Sequence, residues 1–262
     1  RVKCHPKKKK KTADEACKFI IEEAKKAVAA NGRFTVAFSG GSLPKIVGPP
    51  LATAAEGLNT DKWFVFFSDE RCVELDHKDS NYASVKQHVL DPLKVPAENV
   101  FAIDQTKVST PEGAASEYQK RLKEFFGNDT KPSLDLVLLG MGPDGHTCSL
   151  FPGYPQLEEK SLLITHITDS PKPPSNRITF TYPLLNQCKA VAFVCCGGSK
   201  AESLTKILKP KQTTQKQGEA VLPSGRLATP VIRWYIDKDA AGNIDFETKI
   251  EEAEKKNSSA DL

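Results

Sequence analysis

The chain has 262 residues, of which 39% are hydrophobic and 27% are charged. This composition is typical of a globular protein and excludes a chain that is disordered throughout. No apolar run approaches the roughly 18 residues that a membrane-spanning helix needs, so we expect no membrane partner.

The net charge of +4 is concentrated at one end of the chain. Residues 1–11 carry seven positive charges and no acid, and taking these seven from +4 leaves −3 for the rest. We therefore expect residues 1–12 to form a disordered basic tail and the body to bind no nucleic acid. The lysine run Lys7–Lys11 could still bind polyanions or serve as a localisation signal.

The cysteine pattern indicates reduced thiols. There are seven cysteines, an odd number, and none forms a C-x-x-C motif. Cysteine and histidine do not occur at zinc-finger spacing either, so we expect no structural metal. Thiols of this kind are typical of a reducing compartment, and the expected location is cytoplasmic.

The first predicted elements are a helix and a strand. Thr12 and Glu15 form a capping-box pattern, and apolar residues then recur at helical spacing. A strand is predicted over Arg33–Phe38, followed by a glycine loop at Ser39–Ser42. The next helix accommodates Pro44 in its first turn.

Further strands and helices alternate along the chain. Strands are predicted over Trp63–Phe67, Val100–Ile103, Leu134–Leu139, Leu162–Ile167, Ile178–Tyr182, Ala190–Cys196 and Val231–Ile236. Helices are predicted over Asn81–Leu90, Pro111–Phe126 and from Lys200 to Leu208. This alternation predicts an α/β fold with a mostly parallel central sheet covered on both faces. We expect one domain over residues 13–247 and a charged C-terminal segment over residues 248–262.

Ligands of such folds bind at the carboxyl ends of the strands. Four predicted strand ends carry unusual loops: Ser39–Ser42, Ser68–Arg71, Gly140–His146 and Gly197–Lys200. The glycine pair of the first loop would let backbone N–H groups approach an anion such as phosphate, although a plain strand-to-helix turn fits equally well. The adjacent acids Asp69 and Glu70 fit a general acid or base, a metal site or a salt-bridged loop.

The third loop combines glycines with a histidine. Gly140–Gly145 matches G-x-G-x-x-G, but Pro143 within the turn and Pro152 soon after it oppose a dinucleotide-binding helix. A catalytic turn fits better, because His146 could take a proton from water while Asp144 holds its ring. The alternative is a structural histidine that caps the turn.

Three cations at strand ends could pair with a phosphate group. Arg71 ends the second loop, Arg177 follows a proline-rich turn, and Lys200 opens a helix after two glycines. Each of them alone would also fit an ordinary surface charge.

Five segments carry a resemblance to a known family. They are Phe38–Ser42, Ser68–Val73, Gly140–Pro152, Arg177–Thr179 and Gly198–Ala201. In this order they resemble the glucosamine-6-phosphate isomerase/6-phosphogluconolactonase family, most specifically its lactonases at Gly140–Pro152. The resemblance spans roughly residues 13–240.

The resemblance implies a modified Rossmann-like, three-layer fold. It also implies hydrolysis of 6-phospho-D-glucono-1,5-lactone to 6-phosphogluconate in the oxidative pentose phosphate pathway, without metal or cofactor. His146 would be the general base, with Asp144 orienting it or shaping the turn. The implied phosphate contacts are Ser39, Gly40, Gly41, Ser42, Arg71, Arg177 and Lys200. The expected partner is the small-molecule lactone, and the expected state is a monomer.

Two other functions remain open at this point. The related sugar-phosphate deaminases carry a Phe-Asn-Glu-Pro stretch after the histidine, whereas Ser149–Pro152 here contains no acid. This difference opposes a sugar-phosphate isomerase or deaminase, which remains the alternative enzyme because it shares the fold and the glycine loop. Polyanion binding through Lys7–Lys11 is an accessory function that this chain could have in addition.

Overall fold

A computed structural model describes residues 2–5, 9–54, 57–208, 221–242 and 244. The strands of this part of the chain are β1 (Val2–His5), β2 (Phe34–Phe38), β3 (Trp63–Phe67), β4 (Asp69–Arg71), β5 (Leu136–Leu139), β6 (Ile164–Ile167), β7 (Arg177–Phe180), β8 (Ala190–Cys195) and β9 (Val231–Asp237). The α-helices are α1 (Lys9–Asn31), α2 (Leu43–Ala54), α3 (Asn81–Val85), α4 (Asp91–Leu93), α5 (Pro111–Phe126), α6 (Tyr182–Gln187), α7 (Ala201–Leu208) and α8 (Lys238–Ala241). One π-helical turn, Lys86–Leu90, joins α3 to α4. Short 3₁₀ turns cover Thr60–Lys62, Ala97–Asn99, Gln105–Lys107, Pro155–Glu158, Gly198–Lys200 and Pro223–Gly225.

The central sheet has six strands in the order β1-β9-β8-β5-β2-β3, and every neighbouring pair is parallel. A second sheet contains three antiparallel strands in the order β4-β7-β6. The predicted α/β fold with a mostly parallel central sheet is therefore confirmed.

Separate apolar cores cover the two faces of the central sheet. Val36 and Phe38 of β2 belong to the same core as Ile20 of α1, whereas the intervening Ala37 belongs to the core that contains Leu122 of α5. Alternate side chains of a strand point to opposite faces, so the strands β2, β3, β5, β8 and β9 contribute to both cores. This burial on both sides explains why the central strands are almost continuously apolar, and it produces the predicted three layers.

The N-terminal residues differ from the expected disordered tail over residues 1–12. Val2–His5 forms β1 and pairs with β9, and α1 begins at Lys9 rather than at Thr12. Thr12 is buried, and its hydroxyl donates a 3.4 Å hydrogen bond to the carbonyl oxygen of Ile236. The expectation was wrong here because a run of charges carries no information about backbone pairing with a strand near the other end of the chain.

Two other expectations concern short or undescribed segments. The strand predicted over Val100–Ile103 is reduced to a single bridge between Val65 and Val100. Lys7 and Lys8 and the charged segment over residues 248–262 lie outside the described residues. None of the helices in the described part of the chain is long and apolar enough to cross a membrane.

Candidate active site

A cavity of about 150 Å³ lies at the carboxyl ends of β2, β5 and β8 and beside the small sheet. It brings together residues from all four of the loops that the sequence singles out. The expected site residues that line it are Ser39, Gly40, Gly41, Ser42, Arg71, His146, Arg177 and Lys200. Asp144 is not among the lining residues but contacts the ring of His146.

The turn that carries His146 depends on its glycines. The N–H of Gly142 donates to the carbonyl oxygen of His146 at 2.9 Å, and the N–H of Gly145 donates to that of Gly142 at 3.0 Å. Gly145 has φ of 77°, a conformation that L-residues rarely adopt. A Cβ atom on Gly142 would lie 2.1 Å from Nδ1 of His146. The imidazole can therefore pack against the turn only because residue 142 has no side chain.

Asp144 determines which nitrogen of His146 can act as a base. Its Oδ1 forms a hydrogen bond with Nδ1 of the ring. Partial burial raises the pKa of Asp144, but the hydrogen bond from His146 and the charges of His146 and Lys172 outweigh this and hold that pKa below its usual range. An ionised carboxylate only accepts hydrogen bonds, so Nδ1 must carry the proton and Nε2 keeps its lone pair.

Lys172 is a member of this cluster that sequence reasoning missed. Its Nζ lies 3.2 Å from Nδ1 of His146 and 3.4 Å from Oδ2 of Asp144. The residue belongs to the proline-rich turn that connects β6 to β7. A lysine between two prolines was the available signal, but nothing in its local pattern relates it to a histidine 26 residues away.

The guanidinium of Arg177 is almost completely buried, and it mainly holds the proline-rich segment. Nε donates to the carbonyl oxygen of Pro174 at 2.9 Å, and Nη2 donates to those of Lys172 and Pro173 at 2.8 and 3.2 Å. Nη1 donates to Oγ of Ser149 at 3.4 Å. These bonds use four of the five guanidinium N–H groups, so a phosphate in the cavity could take one N–H and the positive charge.

The other two expected cations also reach the cavity. Arg71 is the cross-strand partner of Arg177 in the small sheet, and its Nη1 donates to the carbonyl oxygen of Asp79 at 2.6 Å. Lys200 donates to the carbonyl oxygen of Cys196 at 2.9 Å. Both side chains are half-buried. Three cations and the glycine loop Ser39–Ser42 therefore surround one cavity, an arrangement that suits an anionic ligand.

The neighbouring acids have different surroundings. Asp69 lines the cavity and accepts hydrogen bonds from Oγ of Ser149 at 2.9 Å and from Nδ2 of Asn81 at 3.2 Å. Glu70 is buried and does not line the cavity. Its carboxylate accepts hydrogen bonds of 2.7–2.8 Å from the backbone N–H groups of Arg71, Asn81 and Tyr82. Burial raises the pKa of Glu70 to about 7, although the three N–H donors oppose this shift. Glu70 thus anchors the start of α3, a structural role.

Cys148 also lines the cavity but is a poor candidate for a nucleophile. Burial, followed by the negative charge of Asp69, raises the pKa of its thiol. The reactive form of cysteine is the thiolate, so this thiol stays unreactive at neutral pH.

The fold and the cavity define an α/β protein of the enzyme type, in which a carboxylate-held histidine and three cations line or flank one cavity. Comparison with known proteins identifies the family. Residues 7–231 match the model of the family described as glucosamine-6-phosphate isomerases/6-phosphogluconolactonase, and the chain belongs to that family.

Its relatives include named lactonases. The chain is 40% identical over 228 residues to a 6-phosphogluconolactonase of Rattus norvegicus, covering 85% of each chain. It is 38% identical over 236 residues to a probable 6-phosphogluconolactonase of Schizosaccharomyces pombe, covering 87% of this chain and 90% of the relative. A crystal structure of 6-phosphogluconolactonase from Thermotoga maritima superposes with a TM-score of 0.75 at 27% identity, covering 90% of this chain and 98% of the other.

Proposed function

We propose that this protein hydrolyses 6-phospho-D-glucono-1,5-lactone to 6-phosphogluconate in the oxidative pentose phosphate pathway, with His146 as the general base. This proposal rests on the Asp144–His146 pair, which lies at the edge of a cavity lined by the cations Arg71, Arg177 and Lys200. Relatives at about 40% identity over most of the chain carry the name of this activity, which supports the choice of substrate.

The chemistry needs one base and no covalent nucleophile, because the carbonyl carbon of a lactone is electrophilic. Nε2 of His146 takes a proton from a water molecule as that water attacks the carbonyl carbon. Asp144 keeps Nδ1 protonated and stabilises the imidazolium that forms. The ring oxygen of the lactone leaves and needs a proton, and the imidazolium is the nearest acid that the reaction itself creates.

The phosphate group binds away from the reacting carbon. Arg71, Lys200 and the remaining N–H of Arg177 supply positive charge, and the glycine loop Ser39–Ser42 supplies backbone N–H groups. The N–H groups of Gly142 and Gly145 are already bonded within their own turn, so the glycine loop is the better donor. Binding energy from this remote group orients the lactone against His146.

Replacing His146 by alanine tests the assignment. We expect kcat to fall by roughly 10²- to 10⁴-fold, the usual contribution of a general base, while KM changes little. Activity is measured as proton release from freshly prepared lactone, with the spontaneous hydrolysis subtracted. His88→Gln is the matched control, because His88 lies on the π-helical turn and does not line the cavity. A His146→Ala enzyme with the wild-type rate would show that another group is the base.

We also propose that the enzyme acts as a monomer in the cytoplasm. The six cysteines whose side chains the structure describes are all free, which supports a reducing compartment. Light scattering during size-exclusion chromatography and fractionation of cells test these two points.

A further inference from the structure

Lys172 stands beside the proposed catalytic pair without lining the cavity. We propose that Lys172 is a positioning residue that holds the Asp144 carboxylate and sets the pH at which His146 gains a proton. This inference rests on the proposed function, because it assigns Lys172 to the base of that reaction.

The backbone around Lys172 is firmly held. The carbonyl oxygen of Lys172 accepts hydrogen bonds from Nη2 of Arg177 at 2.8 Å and from Oγ of Ser170 at 2.8 Å. Its N–H donates back to Oγ of Ser170 at 3.3 Å. Two further bonds join Arg177 to the carbonyl oxygens of Pro173 and Pro174. The backbone at Lys172 is therefore fixed, and this fixed backbone places the ammonium group beside Asp144.

The hydrogen-bonding capacities of the three groups decide how they interact. An ammonium group has only donors, and Nδ1 of His146 carries a proton that it gives to Asp144. Lys172 therefore donates to the carboxylate, at 3.4 Å from Oδ2 and 3.5 Å from Oδ1. Its 3.2 Å approach to Nδ1 is a contact between a positive charge and the ring, without a shared proton.

The two neighbours of the imidazole act in opposite directions. The negative charge of Asp144 favours the protonated ring, and the positive charge of Lys172 disfavours it. When both charges are present, Asp144 can orient the imidazole of His146 without also keeping it in the protonated, imidazolium form. Without Lys172, the uncompensated carboxylate would keep more of the imidazole protonated, and a protonated imidazole cannot act as a base.

Other charged groups face His146 across the cavity. They are Asp69, Arg71, Arg177 and Lys200, from β4, β7 and the turn after β8. All of them remain in a variant that changes Lys172 alone, so a change in the titration of His146 reports the contribution of Lys172.

The first test is an NMR titration of the His146 ring in the wild-type protein and in Lys172→Met. The ring signal is identified as the one missing from a His146→Gln variant. We expect the titration midpoint of Lys172→Met to lie about half a pH unit or more above that of the wild type, and Lys172→Arg to restore it. Lys131→Met is the control, because Lys131 is exposed and precedes the amino end of β5, whereas the cavity lies at the carboxyl ends of the strands. An unmoved midpoint, or one that moves to lower pH, overturns the proposal.

The second test is the pH dependence of activity in the same variants. In Lys172→Met, the acid limb of the kcat/KM profile should move to higher pH by the same amount as the NMR midpoint. At pH 6 the loss should appear mainly in kcat, with little change in KM, and at pH 8 kcat should be largely recovered. A loss that is equal at all pH values would indicate that Lys172 only supports the loop, and would overturn the proposal. An active His146→Ala enzyme would instead overturn the proposed base, so the two failures are distinguishable.

Discussion

The two sheets make different contributions to the site. The parallel sheet delivers the glycine loop after β2 and the His146 turn after β5, both at strand ends. The small antiparallel sheet carries Arg71 and Arg177 as cross-strand partners, and Arg177 in turn holds the segment of Lys172. We therefore expect changes at the His146 turn to act mainly on kcat, and changes at the small sheet to act on substrate affinity and on the charge around the base.

The largest effect on the parallel-sheet side is expected for Gly142→Ala. The added Cβ would lie 2.1 Å from Nδ1 and Cε1 of His146, so the imidazole must leave its position. We expect kcat to fall at least about 10²-fold, approaching the loss in His146→Ala. Gly140→Ala, whose Cβ would meet no atom within 4 Å, should lose far less. Steady-state kinetics and circular dichroism of both variants check this, and equal losses would contradict it.

A smaller and different effect is expected for Arg71→Ala in the small sheet. Losing a charge-assisted hydrogen bond to phosphate costs roughly 1.5–3 kcal/mol, which corresponds to a rise in KM of about ten- to hundredfold. The base is untouched, so kcat should remain near that of the wild type. Steady-state kinetics with the lactone separates the two constants, and a fall in kcat at unchanged KM would contradict the division of roles between the His146 turn and the small sheet.

The smallest effect concerns stability and Glu70. Because burial raises the pKa of Glu70 from its ordinary value of 4.5 to about 7, the folded protein binds more protons than the unfolded chain between these two values. The free energy of unfolding therefore falls as pH rises through this window, and the loss is complete above the folded pKa. This term amounts to about 2 kcal/mol between pH 5 and pH 8.

Glu70→Gln removes that titration. Its unfolding free energy, measured with urea at pH 5 and pH 8, should fall less with pH than that of the wild type by about this amount. The absolute stability of the variant is not the readout, since the amide group also disturbs the three N–H contacts made by Glu70. An identical pH dependence in both proteins would show that Glu70 stays ionised across the range.

Local patterns predicted much of the fold and most of the residues that the cavity brings together. Short apolar strands such as Trp63–Phe67 and the amphipathic helix Pro111–Phe126 are readable because burial imposes a periodicity on neighbouring residues. The turn that brings Asp144 to His146 can also be predicted from the sequence, since only Gly145 separates the two residues. In contrast, Val2–His5 is recognisable as a strand only through its pairing with Val231–Asp237, near the other end of the chain.

The sequence by itself determined the layers, the strand-end loops and the histidine turn, because each depends on residues within a few positions of one another. Tertiary structure alone decided that Arg177 is buried at the cavity and that Lys172 reaches Asp144. Lys172 and Asp144 are 28 residues apart, and they meet only when the small sheet packs beside the parallel one. The energy of their contact depends on distances that no local spacing encodes.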